Sequence, residues 1–281
     1  MASILIVGAG WLGRPLAKQL STLGHQVSVT NSQQNSVLLS QQYGLQSSLI
    51  QLPLTHSTTF SALINSLNID IVIGCITPGF RRQQTPDWDS YANNWQQICD
   101  GAARGGAKKI IMVSSTAVYP SIAKEMVEQD AHFNLAREDV HFSQKSIALL
   151  KAEQVVMDCG INFAIIRCSG LVDDKRHPSR FVSRLKSIST QAPANMLHKR
   201  DAIGFITLAL DAVNHQVVNV STPNTCDKAT FYTAALKESK VTPASSVALP
   251  TIVHTPDKKI DSSLSQQLGY QYLYQHSLDL L

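Results

Sequence analysis

The chain has 281 residues, of which 16% are charged and 44% hydrophobic, and it carries a formal net charge of +4. That length suits one large α/β domain or a domain with a smaller lobe, and the apolar content excludes a disordered chain. The charge is small and dispersed, with no window that concentrates Lys and Arg among aromatics, so nucleic acid is not an expected partner. Five cysteines, Cys75, Cys99, Cys159, Cys168 and Cys226, are widely spaced without a CxxC pair. They predict reduced thiols in a cytoplasmic protein and no metal site. The start MASILIVGAG has no basic leader, and no apolar segment approaches the ~20 residues of a membrane span, so no membrane partner is expected.

In chain order, Ile4 to Val7 is a short β-branched run, followed by GAGWLG and a helical RPLAKQLSTLG that Gly24 ends. His25 to Thr30 reads as a second strand, SVLLSQQYG as helical, and SLIQL as a third strand. TFSALINSLN follows as a helix, and Ile69 to Thr77 reads as a buried strand. The segment TPGFRRQQTPDWD is a loop by its Pro, Gly and charge, SYANNWQQICDGAARGGA a helix, and KKIIMVSS a fifth strand. From Leu135 a long helical pattern runs through SIALLKAEQVVMDCG to the strand INFAIIRC. Apolar strands alternating with helices predict a parallel sheet covered on both faces, a Rossmann-type doubly wound α/β fold that binds ligand at the carboxyl ends of its strands. Beyond Gly170 the pattern loosens. Residues 1–169 are expected as the nucleotide-binding domain and 170–281 as a smaller substrate lobe, partly interleaved with the sheet.

Gly8, Gly10 and Gly13 form GxGxxG between the first strand and the first helix, enclosing Trp11 and Leu12. The first glycine permits a tight turn, the second lets backbone approach a pyrophosphate, and the third allows close helix–strand packing. The helix N-terminus adds free N–H groups and a positive dipole end. This predicts a dinucleotide cofactor. An acidic residue after the second strand would accept the ribose 2′-OH of NAD, whereas the chain has Thr30, Asn31 and Ser32 there. NAD and NADP both stay open, with Arg14 and these short polar groups tilting the reading toward NADP. Thr77 and Ser114, at the ends of the fourth and fifth strands, are placed with the cofactor.

The pieces GAGWLG, VSSTAVYP, the helical KAEQ, IIRCSGLV and KIDSSLSQQLGY, in this order, resemble the extended short-chain dehydrogenases/reductases, the superfamily of nucleotide-sugar epimerases and dehydratases. The resemblance spans essentially the whole chain. It implies hydride transfer at a nicotinamide, with a Ser or Thr at the position of Thr116 bonding the reacting oxygen. It also implies a Tyr acid/base and a Lys one helical turn later that lowers its pKa. Matching the family's helix at Glu153 puts Lys145 where the Tyr is expected and Leu149 where the Lys is expected; no YxxxK occurs anywhere in the chain. The pattern KSIALLKAEQ resembles an atypical bacterial branch that keeps the nucleotide fold and lacks this tyrosine. Lys145, His141 and Tyr119 stand as substitutes, beside the alternative that there is no conventional acid/base. Ser114 and Ser115 can equally cap the strand end by local hydrogen bonds. Ala117 and Val118 replace the acidic pair of 4,6-dehydratases, which argues against that reaction.

In the second lobe, Arg176 and Arg180 of KRHPSRF are candidates to clamp a diphosphate or carboxylate of the substrate. Asn195 of NMLHKRDA is placed against substrate by the resemblance, and Asp201 is expected as a helix N-cap. The resemblance also implies a homodimer through the long helix after Leu135. The expected protein is an NAD(P)-binding oxidoreductase or epimerase acting on a small polar, nucleotide-linked substrate. The alternative is a non-catalytic protein that senses NADP(H).

Overall fold

The computed structural model describes residues 1–80, 83–238 and 250–281. Arg81 and Arg82, in the segment expected as a loop, and residues 239–249 lie outside them. Seven strands form the main sheet: β1 (Ser3–Val7), β2 (Gln26–Asn31), β3 (Gln46–Leu49), β4 (Ile71–Gly74), β5 (Lys109–Ser115), β6 (Asn162–Cys168) and β7 (Gln216–Val220). Their spatial order is β3-β2-β1-β4-β5-β6-β7 and every pairing is parallel. The order reverses between β1 and β4, which opens a crevice at their carboxyl ends.

Alternation along the strands divides the core between the two faces. Leu5 and Val7 face α3 (Thr59–Ser66), α4 (Ser90–Gly105) and α5 (Gln144–Met157), packing with Phe60, Trp95, Ile98 and Leu150. Ile4 and Ile6 face α1 (Gly13–Thr22) and α6 (Lys199–Ala212), packing with Leu16, Leu20, Phe205 and Ile206. The helix α2 (Gln34–Gln42) crosses between β2 and β3. The inner strands β1 and β4 are apolar on both sides because each side is covered, whereas the edge strand β3, QSSL, is not.

Four elements differ from their expected form. The strand expected over Ile69 to Thr77 pairs only from Ile71 to Gly74, and the rest becomes the cleft loop. The long helix expected from Leu135 is broken into a short helix Phe133–Glu138 and α5. Between them Asp139 accepts from the His141 N–H at 2.9 Å, and Ser143 caps α5 by accepting from the Ser146 N–H at 3.1 Å. Asp201 is not the N-cap of α6, a place taken by His198. Fully buried, Asp201 instead accepts from the Tyr270 hydroxyl at 2.9 Å and from the Leu273 N–H at 2.8 Å, tying the segment after residue 269 to α6. Asn195 likewise donates to the Lys258 carbonyl at 2.9 Å and accepts from the Ile260 N–H at 3.0 Å. Both of its polar ends hold backbone, and it does not reach the cleft.

After Cys168 the chain adds short parallel pairs, Gly170–Val172 with Met196–His198 and Ser187–Ser189 with Thr251–Val253, and then the helix α7 (Lys228–Glu238). It also returns β7 to the edge of the main sheet.

Candidate functional site

The glycine loop owes its shape to three different constraints. Gly8 has φ +96°, a left-handed backbone that side chains rarely tolerate. A Cβ on Gly13 would lie 2.4 Å from the Gly8 carbonyl oxygen, so only glycine lets α1 start this close to β1. A Cβ on Gly10 would meet nothing within 4 Å. Its missing side chain therefore leaves backbone open toward the cleft. The first turn of α1 has no side-chain cap and no acidic residue. The Arg14 N–H is taken by the Gly10 carbonyl at 3.2 Å and Pro15 has none, so the turn offers an anion the Gly13 N–H and the positive end of the helix dipole.

The end of β2 braces this loop. Thr30 accepts from the Ala9 N–H through its carbonyl at 2.9 Å and from the Gly8 N–H through its hydroxyl at 3.4 Å. Asn31 donates to the Ala9 carbonyl at 3.3 Å and accepts from the Ser40 and Ser47 hydroxyls at 2.9 and 3.0 Å. With both ends of its amide occupied, Asn31 braces the loop. Ser32 and Ser36 line the cleft beside Arg14, whose buried Nε has no hydrogen-bond partner.

The cleft has a volume of about 900 Å³ and is lined by residues following β1, β2, β4, β5 and β6. Of the residues singled out in the sequence, Gly8, Gly10, Trp11 and Leu12 lie on its wall with Thr30, Asn31 and Ser32. Thr77, Ser114 and Arg176 also lie on it. Among its described lining residues are two arginines, Arg14 and Arg176, and no Asp or Glu. Gly13 sits behind the wall as a packing residue. Arg180 projects as an exposed side chain from the short helix Ser179–Val182, off the cleft.

The hydroxyl stretch at the carboxyl end of β5 divides by residue. Ser114 lines the cleft and donates to Glu153 Oε1 at 2.5 Å. Ser115 lines it too, and its Oγ accepts from the Ala117 N–H at 3.2 Å, capping a short 3-10 turn at Thr116–Val118. Thr116, expected to touch substrate, is buried in that turn and is not part of the wall. The turn begins immediately after Ser115, so the hydroxyls on the wall are those of Ser114 and Ser115. Tyr119 is buried to 2% exposure; it donates to Asn219 Oδ1 at 2.7 Å and accepts from Arg167 Nη1 at 2.8 Å. Burial pushes its pKa up to about 12, despite the nearby guanidinium. A phenol with both hydrogen-bonding directions engaged in the core has no route to a substrate proton.

Lys145 lies in the first turn of α5, off the wall, and one turn further Leu149 is on it. An apolar side chain thus occupies the place where the family resemblance expects the lysine. His141 is an exposed turn residue, 2.7 Å from Asp139.

Several wall residues were not singled out in the sequence. Tyr91 and Asn94, on α4, reach the wall beside Cys75, Cys168 and Ser169. The signal for Asn94 was its place beside Tyr91, Trp95 and Ile98 on the buried face of a helix, an unusual position for an amide. Ser169 is 5% exposed and its Oγ has no hydrogen-bond partner. A buried hydroxyl left unpaired on a cleft wall fits a ligand that would complete it. Burial pushes the Cys75 and Cys168 thiols up to about 12, so both stay protonated at neutral pH.

An open glycine turn leading from the first strand into the first helix, at the switch point of a parallel sheet, defines a Rossmann-type nucleotide-binding fold. The profile of the NAD dependent epimerase/dehydratase family matches residues 4–220, and the chain belongs to that family. Protein YeeZ of Escherichia coli K12 is 28% identical over 287 residues, an alignment covering 98% of this chain and 97% of that protein. Among solved structures, UDP-glucose 4-epimerase from Thermotoga maritima, determined with UDP-glucose, is similar with a TM-score of 0.74 at 13% identity, covering 99% of this chain and 96% of the other. UDP-glucuronic acid 4-epimerase from Bacillus cereus, determined with NAD, gives 0.72 at 16% identity with the same coverage.

Proposed function

We propose that the chain is an NADP(H)-binding oxidoreductase or epimerase acting on a small polar, nucleotide-linked substrate. The observation that carries the reading is the cleft wall, which joins an open glycine loop to two arginines and no described carboxylate. Bound there, the nicotinamide would supply a hydride acceptor or donor. Gly10 and the first turn of α1 would hold the diphosphate, while Arg14, Ser32 and Ser36 would surround the adenosine ribose. A 2′-phosphate suits that last group, because the carboxylate that would select a free 2′-OH is missing after β2. Ser115 would orient a substrate oxygen at the end of β5. Tyr91, held near the Ile76 carbonyl at 3.4 Å with its pKa raised by burial, would stay protonated and donate a hydrogen bond. The epimerases of similar fold support a sugar-nucleotide as the substrate class. Free thiols at all five cysteines are consistent with a cytoplasmic location.

A second reading, a sensor of NADP(H) without turnover, is favoured by Leu149, which puts an aliphatic side chain where the cation of the family's acid/base pair would stand. Calorimetric titration with NAD⁺, NADH, NADP⁺ and NADPH tests both readings at their common premise. Tighter binding of the phosphorylated pair is expected. Preference for NAD(H) would overturn the phosphate assignment, and failure of all four at millimolar concentration would remove the nucleotide reading itself. Turnover of UDP-sugars by the loaded protein then separates enzyme from sensor.

A further inference from the structure

Residues Asp173 to Arg176 follow the strand Gly170–Val172 at the far side of the cleft, yet they end on the glycine loop. The Arg176 guanidinium stands 4.0 Å from the centroid of the Trp11 ring, and Lys199 Nζ lies 4.8 Å from the same ring. The two cations are handled differently. Lys199 is ion-paired with Asp173, whereas Arg176 enters no ion pair among the described residues. Asp173 also fixes the turn itself, accepting from the Arg176 N–H at 2.7 Å. Arg176 is therefore a placed positive charge on the glycine loop, without an ion-pair partner among the described residues. Two buried donors without partners flank this path, Trp11 Nε1 and the Ser169 hydroxyl, and the second is 95% buried on the cleft wall.

We propose that Arg176, seated on the Trp11 ring, is the diphosphate clamp of the cleft, closing over a dinucleotide whose other side rests on Gly10 and the first turn of α1. The inference rests on the nucleotide reading above and reassigns Arg176 from substrate to cofactor. Stacking holds the guanidinium by its face and leaves its in-plane N–H donors for two phosphate oxygens, a geometry lysine cannot copy.

The test is the affinity of NADPH and NADH for the full chain and for Arg176→Ala and Arg176→Lys, measured across a range of salt. Loss of charge-assisted hydrogen bonds predicts binding weaker by about tenfold or more in Arg176→Ala. The affinity should then depend less steeply on salt, because one phosphate–cation contact is gone. Arg176→Lys should keep the salt dependence and recover only part of the affinity. A purely structural role would lower the thermal midpoint and leave the salt dependence as in the parent. Unchanged dinucleotide affinity and salt dependence in Arg176→Ala would overturn the clamp while the nucleotide reading survives. Should Arg176→Ala fail to fold, full affinity in Arg176→Lys would overturn it equally. Failure of the parent chain to bind either dinucleotide would instead remove the reading on which the clamp rests.

Discussion

Glu153 on α5 and Arg167 on β6 form an ion pair of 2.7 Å in which neither side chain is more than 2% exposed. Arg167 also donates to the Ala131 carbonyl at 2.8 Å, to the Glu128 carbonyl at 2.9 Å and to the Tyr119 hydroxyl at 2.8 Å. Burial alone would lower the guanidinium's pKa; the adjacent Glu153 carboxylate outweighs it, and the net shift is upward. Removing one partner strands a buried charge, at a cost of about 3–5 kcal/mol. Glu153→Ala should therefore lower the thermal midpoint by on the order of 10 °C, whereas the apolar pair Glu153→Leu with Arg167→Met should recover much of it. A midpoint within about 2 °C of the parent in Glu153→Ala would show that the pair contributes little.

The glycines of the loop should separate binding from folding. Gly13→Ala drives a methyl to 2.4 Å from backbone and should destabilise the chain markedly. Gly10→Ala has open space for its methyl and should leave the thermal midpoint nearly unchanged, while weakening dinucleotide binding by at least tenfold. Binding unaffected in Gly10→Ala would mean that no diphosphate approaches this backbone.

The hydroxyls at the carboxyl end of β5 carry a second contrast. If the protein turns over a substrate, Ser115→Ala should lower kcat by a factor of about 100, in the range for loss of a positioned hydrogen-bonding group. Thr116→Val, buried behind the turn, should change kcat by less than about threefold. The reverse order would restore Thr116 as the substrate contact.

The thiols should react in a fixed order. The neighbouring Cys99 thiol pulls half-buried Cys159 down to about 7, while burial holds Cys75 and Cys168 at about 12. The thiolate is the nucleophile, so alkylation of Cys159 should rise as pH increases through about 7 and level off above it. Iodoacetamide labelling followed by peptide mass spectrometry should find Cys159 modified first at pH 7.5. First modification of Cys75 or Cys168 would contradict this order.

Much of this architecture was legible because its causes are local. Ile4 to Val7 is apolar at every position because both faces of the sheet are covered, and the glycine spacing directly encodes a close turn. What escaped depended on partners distant in sequence. The identity of the cleft-facing hydroxyl followed from where a 3-10 turn begins after Ser115. Tyr119 is a candidate acid/base by its place in the hydroxyl loop, but Arg167 and Asn219, far along the chain, draw its hydroxyl inward. Asp201 has the residue type of an N-cap, and only the segment around Tyr270 shows why it is buried. Arg176 follows a strand on the opposite side of the cleft from Trp11, so no sequence spacing relates them.

The wholly parallel sheet has a kinetic consequence. No two neighbouring strands can be joined by a tight turn, so every pairing waits for a crossover to be laid down. The inner strand β1 can meet β2 early, but its other edge stays unpaired until β4 has formed. β7 reaches β6 only after the whole stretch from Gly170 to His215 has been threaded between them. Closing such long loops before their contacts are rewarded slows the search for the native state, and an open apolar edge is then presented to other chains. Refolding should therefore lose yield with rising protein concentration well before the native protein shows any tendency to associate.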